Sequence, residues 1–186
     1  MSDYEVLENY DVKQLSTIKI GGLIRYLYLV NNINGLKSVL KIIKDNNFDY
    51  YVIGGCSKIL FPDIFMRECL VKLNNSYIKE TKKYVIVGAG VALKKLASYM
   101  ISRGYLGFEG LLSIPGDVGG ALVNNAGAFN DEISDYLECV KVYEDEKIKI
   151  LYKSELKFSY RYSSFKERNC IILEAYFCKI KVTRKK

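Results

Sequence analysis

A chain of 186 residues with 49% hydrophobic content carries enough apolar material for one globular unit or two small subdomains, which excludes wholesale disorder. The formal net charge of +7 favours an anionic partner, and the basic residues cluster only at 79–83 and 183–186. With no nucleic-acid motif beside them, a nucleotide or phosphate ligand or merely a soluble surface explains the sign, and no nucleic-acid partner is expected.

In chain order, residues 1–14 are polar and acidic without a clear period and read as a loosely attached lead-in. Ile24-Arg-Tyr-Leu-Tyr-Leu-Val30 alternates and is rich in β-formers, which predicts a strand. Apolar residues at 36, 39, 40 and 43 have helical spacing, and Asp45-Asn46-Asn47 closes that helix. Tyr50-Tyr-Val-Ile-Gly-Gly55 is a short strand running into a double glycine. Strand, helix and strand in succession predict a parallel pair with a right-handed crossover. Leu70-Val-Lys-Leu73 is another short strand, and Tyr84-Val-Ile-Val-Gly-Ala-Gly90 a buried strand entering a glycine turn. A helix over 91–103 puts Leu93, Leu96, Ala97 and Met100 on one face and stops at Gly104. Residues 137–144 and 147–152 form a hairpin across Asp145-Glu146, and Cys170 to Val182 is a long final strand. The sum is an α+β chain in two subdomains divided near 74–82.

The stretch from Ser113 to Phe129 organises the rest, with four glycines and one of the two prolines in seventeen residues. Pro115-Gly116 makes a sharp turn, and Asp117 is suited to cap the helix that follows. Gly119-Gly120 permits close backbone approach. A helix start beside glycines offers N–H groups and a positive dipole end to a phosphate or pyrophosphate, while a tight structural turn explains the same residues. Neither G-x-G-x-x-G nor G-x-x-x-x-G-K-[ST] occurs, which argues against a standard Rossmann site or P-loop.

Histidine is absent, which removes the commonest general base, the Ser/His and Cys/His nucleophile pairs and most transition-metal sites. The five cysteines are scattered without C-x-x-C spacing, arguing against a disulfide framework and a zinc site; no metal is expected. No apolar run has the length of a membrane span, and the N-terminus lacks the regions of a signal peptide, so a cytoplasmic location is expected.

Six motifs then occur in order. They are Ser16-Thr-Ile-Lys-Ile-Gly-Gly22, Val52-Ile-Gly-Gly-Cys-Ser-Lys-Ile-Leu60, Val87-Gly-Ala-Gly90, Gly107-Phe-Glu-Gly-Leu-Leu-Ser-Ile-Pro-Gly-Asp-Val-Gly-Gly120, Asn125-Ala-Gly-Ala-Phe129 and Phe158-Ser-Tyr-Arg-Tyr-Ser-Ser-Phe-Lys166. Together they resemble the UDP-N-acetylenolpyruvoylglucosamine reductases, flavoenzymes of peptidoglycan precursor synthesis, from about residue 16 to 177. The resemblance implies the two-subdomain FAD-binding fold of the vanillyl-alcohol-oxidase (PCMH) type. Its subdomains are expected over 15–75 and 76–186, with the flavin in the cleft between them. It implies FAD as cofactor and NADPH as reductant. It places cofactor-binding residues at Gly54, Gly55, Cys56, Ser57, Lys58 and Ile59, at Ser113, Ile114, Pro115, Gly116, Asp117, Gly119 and Gly120, and at Asn125, Ala126, Gly127 and Ala128. The arginine that stabilises the substrate enolate in such enzymes matches Arg161, whose permanent positive charge suits that role. A surface ion pair is the competing account of Arg161.

The departures from the family pattern are equally specific. Family members carry a further C-terminal domain with a proton-donating serine and a glutamate, and that domain is expected to be absent here. Catalysis by the chain alone is therefore not expected. The family's Gly-Gly-Gly-Ser-Asn reads Gly-Gly-Cys-Ser-Lys, giving Cys56 and Lys58, and Asp117 stands where the family has threonine. A carboxylate beside a pyrophosphate repels it by ~1 to 4 kcal/mol at about 4 Å. Three readings follow: an FAD-binding module that needs a protein partner or missing domain, a non-enzymatic binding or regulatory module that has lost FAD, or a flavin reductase of other specificity, for which nothing in the chain suggests a replacement acid. In the second, Lys58 and Asp117 pair across the vacated pyrophosphate site. A missing lid would expose apolar surface, so self-association or a protein partner is expected.

Overall fold

The computed structural model describes residues 2–181. The chain divides into two compact units, Met1–Asn75 and Ser76–Lys186.

The first unit is built on four strands and one helix: β1 (Tyr4–Asp11), β2 (Leu23–Val30), α1 (Ile33–Asp45), β3 (Tyr50–Ile53) and β4 (Met66–Leu73). The loose lead-in expected over 1–14 is instead ordered from Tyr4 onward. β1 pairs antiparallel with β2 from Tyr4↔Val30 to Asp11↔Leu23, and Val12 just beyond it is fully buried. Two causes hid this strand. It is an edge strand with much of its surface exposed, and Asn9 at φ 49° breaks the alternation, so that Leu7 and Tyr10 both pack on the core.

α1 starts where Asn32 Oδ1 accepts the N–H groups of Asn34 and Gly35, both at 3.0 Å. Its buried stripe is Leu36, Val39 and Ile43, each such side chain contributing ~1.5–3 kcal/mol on burial. The strand–helix–strand unit is present, but β2 and β3 are not neighbours. The sheet order is β1-β2-β4-β3, with β4 inserted between them and parallel to both. β4 also begins at Met66, four residues before the predicted strand.

The second unit contains β5 (Ile78–Glu80), β6 (Tyr84–Gly88), α2 (Leu93–Ser102), α3 (Val118–Val123), β7 (Gly127–Ala128), β8 (Asp131–Glu132), β9 (Leu137–Glu144), β10 (Lys147–Tyr152), β11 (Phe158–Ser159), β12 (Tyr162–Ser163) and β13 (Cys170–Cys178). Its main sheet is antiparallel, in the order β10-β9-β13-β6-β5. The β9–β10 hairpin turns at Asp145 and Glu146, with φ 52° and 61°. Two consecutive positive φ values define the type I′ turn whose twist suits a two-residue hairpin.

α2 buries Leu93, Leu96, Ala97 and Met100 completely, and Gly104 at φ 71° ends that segment as its sequence predicts. The final strand is shorter than expected, stopping at Cys178. Lys181 then makes an isolated bridge to Tyr105, and Val182 lies outside the described residues.

Charged groups tie the second unit's elements together. Glu80 accepts from Tyr105 Oη (2.6 Å), Tyr99 Oη (2.9 Å) and Lys179 Nζ (3.1 Å). These bonds, Tyr105's foremost, lower its carboxyl pKa to about 2. Glu144 takes Nε and Nη2 of Arg168 at 2.9 and 3.1 Å and Lys149 Nζ at 2.8 Å, which also hold its pKa at about 2. That knot fastens the β9–β10 hairpin to the chain entering β13. Among the described residues no helix is long and apolar enough to cross a membrane.

Candidate functional site

In the first unit the predicted cofactor residues form the turn leaving β3. Cys56 stands at φ 50°, the left-handed region that glycine adopts freely and that costs other residues ~1–2 kcal/mol. It occupies the place of the third glycine in the motif. The residue is 4% exposed; its thiol donates to Gly54 O at 3.4 Å, and it packs in a cluster with Val12, Ile24, Leu27, Ile53, Phe61 and Leu70. Burial thus offsets the backbone cost. Gly54, Gly55, Ser57 and Ile59 are half-buried and Lys58 is exposed.

Ile59 also lines an apolar cavity of about 650 Å³ bounded by Tyr51, Ile53, Phe61, Phe65, Met66 and Leu70, with Arg67 and Glu68 as its charged residues. Its walls come from β3, β4 and the intervening loop, with Ile24 of β2. They meet only because β4 lies beside β3, a neighbour relation that local pattern does not reveal.

In the second unit the stretch 113–128 folds as a turn, a short helix and a small hairpin. Gly116 has φ 115°, and its carbonyl accepts the Leu93 N–H at 2.8 Å. Asp117 takes the N-cap position of α3, yet its side chain makes no capping hydrogen bond, contrary to expectation. The helix-start donors are also less available than expected. The Val118 N–H donates to Val91 O and the Gly119 N–H to Ala89 O, both at 2.9 Å. These bonds tack α3 onto the segment after β6. A Cβ at Gly119 would stand 3.2 Å from Ala89 Cβ, so its close approach is to protein, whereas Gly120 has open space beside it. Ser113 and Pro115 are exposed and Ile114 is half-buried.

Asn125 is the most constrained of the predicted residues. It is 1% exposed, at φ 44°, and its Nδ2 donates to Glu132 Oε2 at 2.6 Å and to Ser159 O at 3.0 Å. Both partners are acceptors, which fixes the amide orientation. The carbonyl oxygen Oδ1 is left buried with no hydrogen-bond partner among the described residues. An acceptor left so costs ~1–3 kcal/mol, and such atoms in native proteins call for an explanation. Ala126 is buried, while Gly127 and Ala128 form β7, paired with β8 across Phe129 and Asn130.

Arg161 lies at the tip of the β11–β12 hairpin, exposed and at φ 55°. A long side chain in that conformation persists only where its surroundings impose it. Here Asn125 holds the Ser159 carbonyl, Lys166 Nζ donates to Arg161 O at 2.8 Å, and the fully buried Ser163 donates through Oγ to Val123 O at 2.8 Å. The guanidinium makes no ion pair among the described residues and lies 6.0 Å from the Tyr160 ring centroid. The structure brings Asn125 to the Arg161 hairpin from 36 residues away in sequence, through bonds the sequence reading did not anticipate. Ser163 and Lys166 lie inside the sixth motif and Glu132 outside any, but none was given a role, because a single Ser, Lys or Glu does not announce its hydrogen-bond partner. No group of three or more Cys, Asp or Glu residues among the described residues is placed to hold a metal.

Residues 24–146 match the family described as "FAD binding domain". The UDP-N-acetylenolpyruvoylglucosamine reductase of Caldicellulosiruptor saccharolyticus is 35% identical over 175 residues, covering 93% of this chain and 56% of that protein. The reductase of Clostridium beijerinckii is 37% identical, over 86% of this chain and 53% of its own. The chain thus spans a little over half the length of the curated relatives it matches. Among solved structures, the UDP-N-acetylenolpyruvylglucosamine reductase of Thermus caldophilus superposes with a TM-score of 0.78 at 30% identity, covering 96% of this chain and 63% of that one. Cholesterol oxidase from Brevibacterium sterolicum, at 10% identity, TM-score 0.62 and coverages of 95% and 38%, shares the fold alone. The expected α+β, vanillyl-alcohol-oxidase-type architecture is thereby established. The chain belongs to the FAD-binding domain family, and its sequence relatives within that family are UDP-N-acetylenolpyruvoylglucosamine reductases.

Proposed function

We propose that this chain binds FAD and forms the flavin-holding part of a UDP-N-acetylenolpyruvoylglucosamine reductase activity, with NADPH as reductant and a nucleotide-linked enolpyruvyl ether as substrate. The observation that carries the reading is the buried, unpaired Oδ1 of Asn125, inside a motif matched to an FAD-binding domain. A ligand N–H or O–H would supply the bond that the protein withholds. Bound FAD would supply hydride chemistry, taking hydride from NADPH and giving it to the enolpyruvyl group.

The chain's own residues have narrower tasks. The Gly54–Ile59 turn offers backbone groups to an anionic group of the ligand, whereas in the 113–120 stretch the Val118 and Gly119 N–H groups are already committed to protein carbonyls. Arg161 places a permanent charge where a developing enolate needs it. The donor of the final proton and the cover that excludes water come from outside these residues, from a further domain or a partner.

The other reading, a module that has lost FAD, is favoured by one observation: Asp117 puts a carboxylate at the start of α3, where the family pattern has threonine. Titrating the protein with FAD and following flavin fluorescence separates the two. Saturable 1:1 quenching is expected. Absence of quenching in the natural chain, with quenching gained by the double variant Lys58→Asn/Asp117→Thr, would establish the second reading.

A further inference from the structure

We propose that Glu132 is a positioning residue for Arg161, acting through Asn125. The inference rests on the reading of Arg161 given above, but its geometry stands alone. Glu132 Oε2 accepts from Asn125 Nδ2 at 2.6 Å, a short, charge-assisted bond. The second proton of the same amide goes to Ser159 O at 3.0 Å, the last residue before the exposed Tyr160–Arg161 tip. The carboxylate, with the shorter of the two bonds, and the Ser159 carbonyl together dictate which way a buried amide faces.

With the NH₂ group turned toward Glu132 and Ser159, two consequences follow together. The arginine-bearing hairpin is clamped at its base, and Oδ1 is left as an acceptor for a donor group of a nucleotide-type ligand. Without the carboxylate, only the longer bond to Ser159 O would hold the amide, and both arrangements would loosen.

Glu132 is itself held in place. Its backbone N–H donates to Asp135 Oδ2 at 2.8 Å, and β8 pairs it with Gly127. A Cβ on Gly127 would stand 2.9 Å from Glu132 Cγ, so only glycine leaves room for that side chain. The tip depends on this clamp because Arg161 is held in the left-handed region; released, it would relax to an ordinary extended or helical conformation.

A protease reads the clamp without any flavin. Trypsin needs several residues in extended form, so a pinned hairpin resists cleavage after Arg161 although the side chain is exposed. Digestion of the natural chain and of Glu132→Ala, Glu132→Gln and Asn125→Asp, followed by mass spectrometry, compares cleavage after Arg161 with cleavage after Arg103. The proposal expects Glu132→Ala and Asn125→Asp to accelerate cleavage after Arg161 at least tenfold, with Arg103 unaffected. Glu132→Gln, whose carbonyl can still accept the amide, should behave as the natural chain does. Unchanged cleavage in Asn125→Asp, or a Glu132→Gln as labile as Glu132→Ala, would overturn it. Should Glu132→Ala lose its fold and open at both arginines, the contrast between Glu132→Gln and Asn125→Asp decides. A chain that binds no FAD yet shows this pattern would refute the proposed function and leave the clamp standing.

Discussion

The two stretches that carry the family's cofactor motifs are held by different physics. In the first unit, the turn after β3 is fixed by burial: Cys56 sits in an apolar cluster and accepts a left-handed backbone as the cost. In the second, the corner around Asn125 and Arg161 is fixed by hydrogen bonds from Asn125 to Glu132 and Ser159, from Ser163 to the Val123 carbonyl and from Lys166 to the Arg161 carbonyl. A site held by packing tolerates changes of polarity poorly but changes of size gradually. One held by buried polar groups fails abruptly, because removing a single partner leaves the others desolvated and unpaired.

The sharpest test of that contrast is Asn125→Leu. It strands the Glu132 carboxylate and the Ser159 carbonyl together, and should lower stability by about 2–5 kcal/mol in denaturant unfolding. A loss under about 1 kcal/mol would mean that water replaces the amide and that the corner is not a closed polar unit.

Next in size is the response to acid. Glu80 and Glu144, both in the second unit, have carboxyl groups held at about 2 by their donors, against an ordinary value of 4.5. A depressed carboxylate pKa contributes stability that is fully present above the unfolded value and is lost as pH falls through the window from about 4.5 to about 2. The second unit should therefore loosen in that window. Glu144→Gln should reduce stability by ~1–3 kcal/mol at neutral pH and flatten its decline in acid. An unaltered acid profile would show that the Arg168 and Lys149 bonds contribute nothing net.

Cys56 tests the packing side. A β-branched residue is poorly tolerated at positive φ, so Cys56→Val should cost about 2 kcal/mol despite its apolar side chain. Cys56→Gly should stay within about 1 kcal/mol of the natural chain, because relief of the backbone offsets lost burial. Equal losses in the two variants would remove the conformational account. The smallest change is Glu146→Gly in the type I′ turn, expected to gain ~0.5 kcal/mol by thermal melting.

What could be read in the sequence follows the same division. α1, α2 and the β9–β10 hairpin were legible because period and turn chemistry are local, as in Leu93, Leu96, Ala97 and Met100 on one helix face. β1 was not, since an edge strand interrupted at Asn9 has no alternation to find. The insertion of β4 between β2 and β3 was hidden for another reason: neighbour order in a sheet is a tertiary choice. In the site, the motif residues were found by resemblance, and Asn125 among them. Its partner Glu132 lies seven residues on, and its other partner is the backbone of Ser159, which no side-chain pattern announces. The expected helix-start donors fell short because Ala89 and Val91 supply carbonyls from a segment distant in sequence.

The most direct test of the account is the visible absorbance spectrum of the purified protein before and after adding FAD. A flavin band at one equivalent per chain is the result predicted, with its stoichiometry lost in Asn125→Leu. A protein that stays colourless after removal of excess FAD would contradict the account, and Lys58 and Asp117 would then become the residues to revert first.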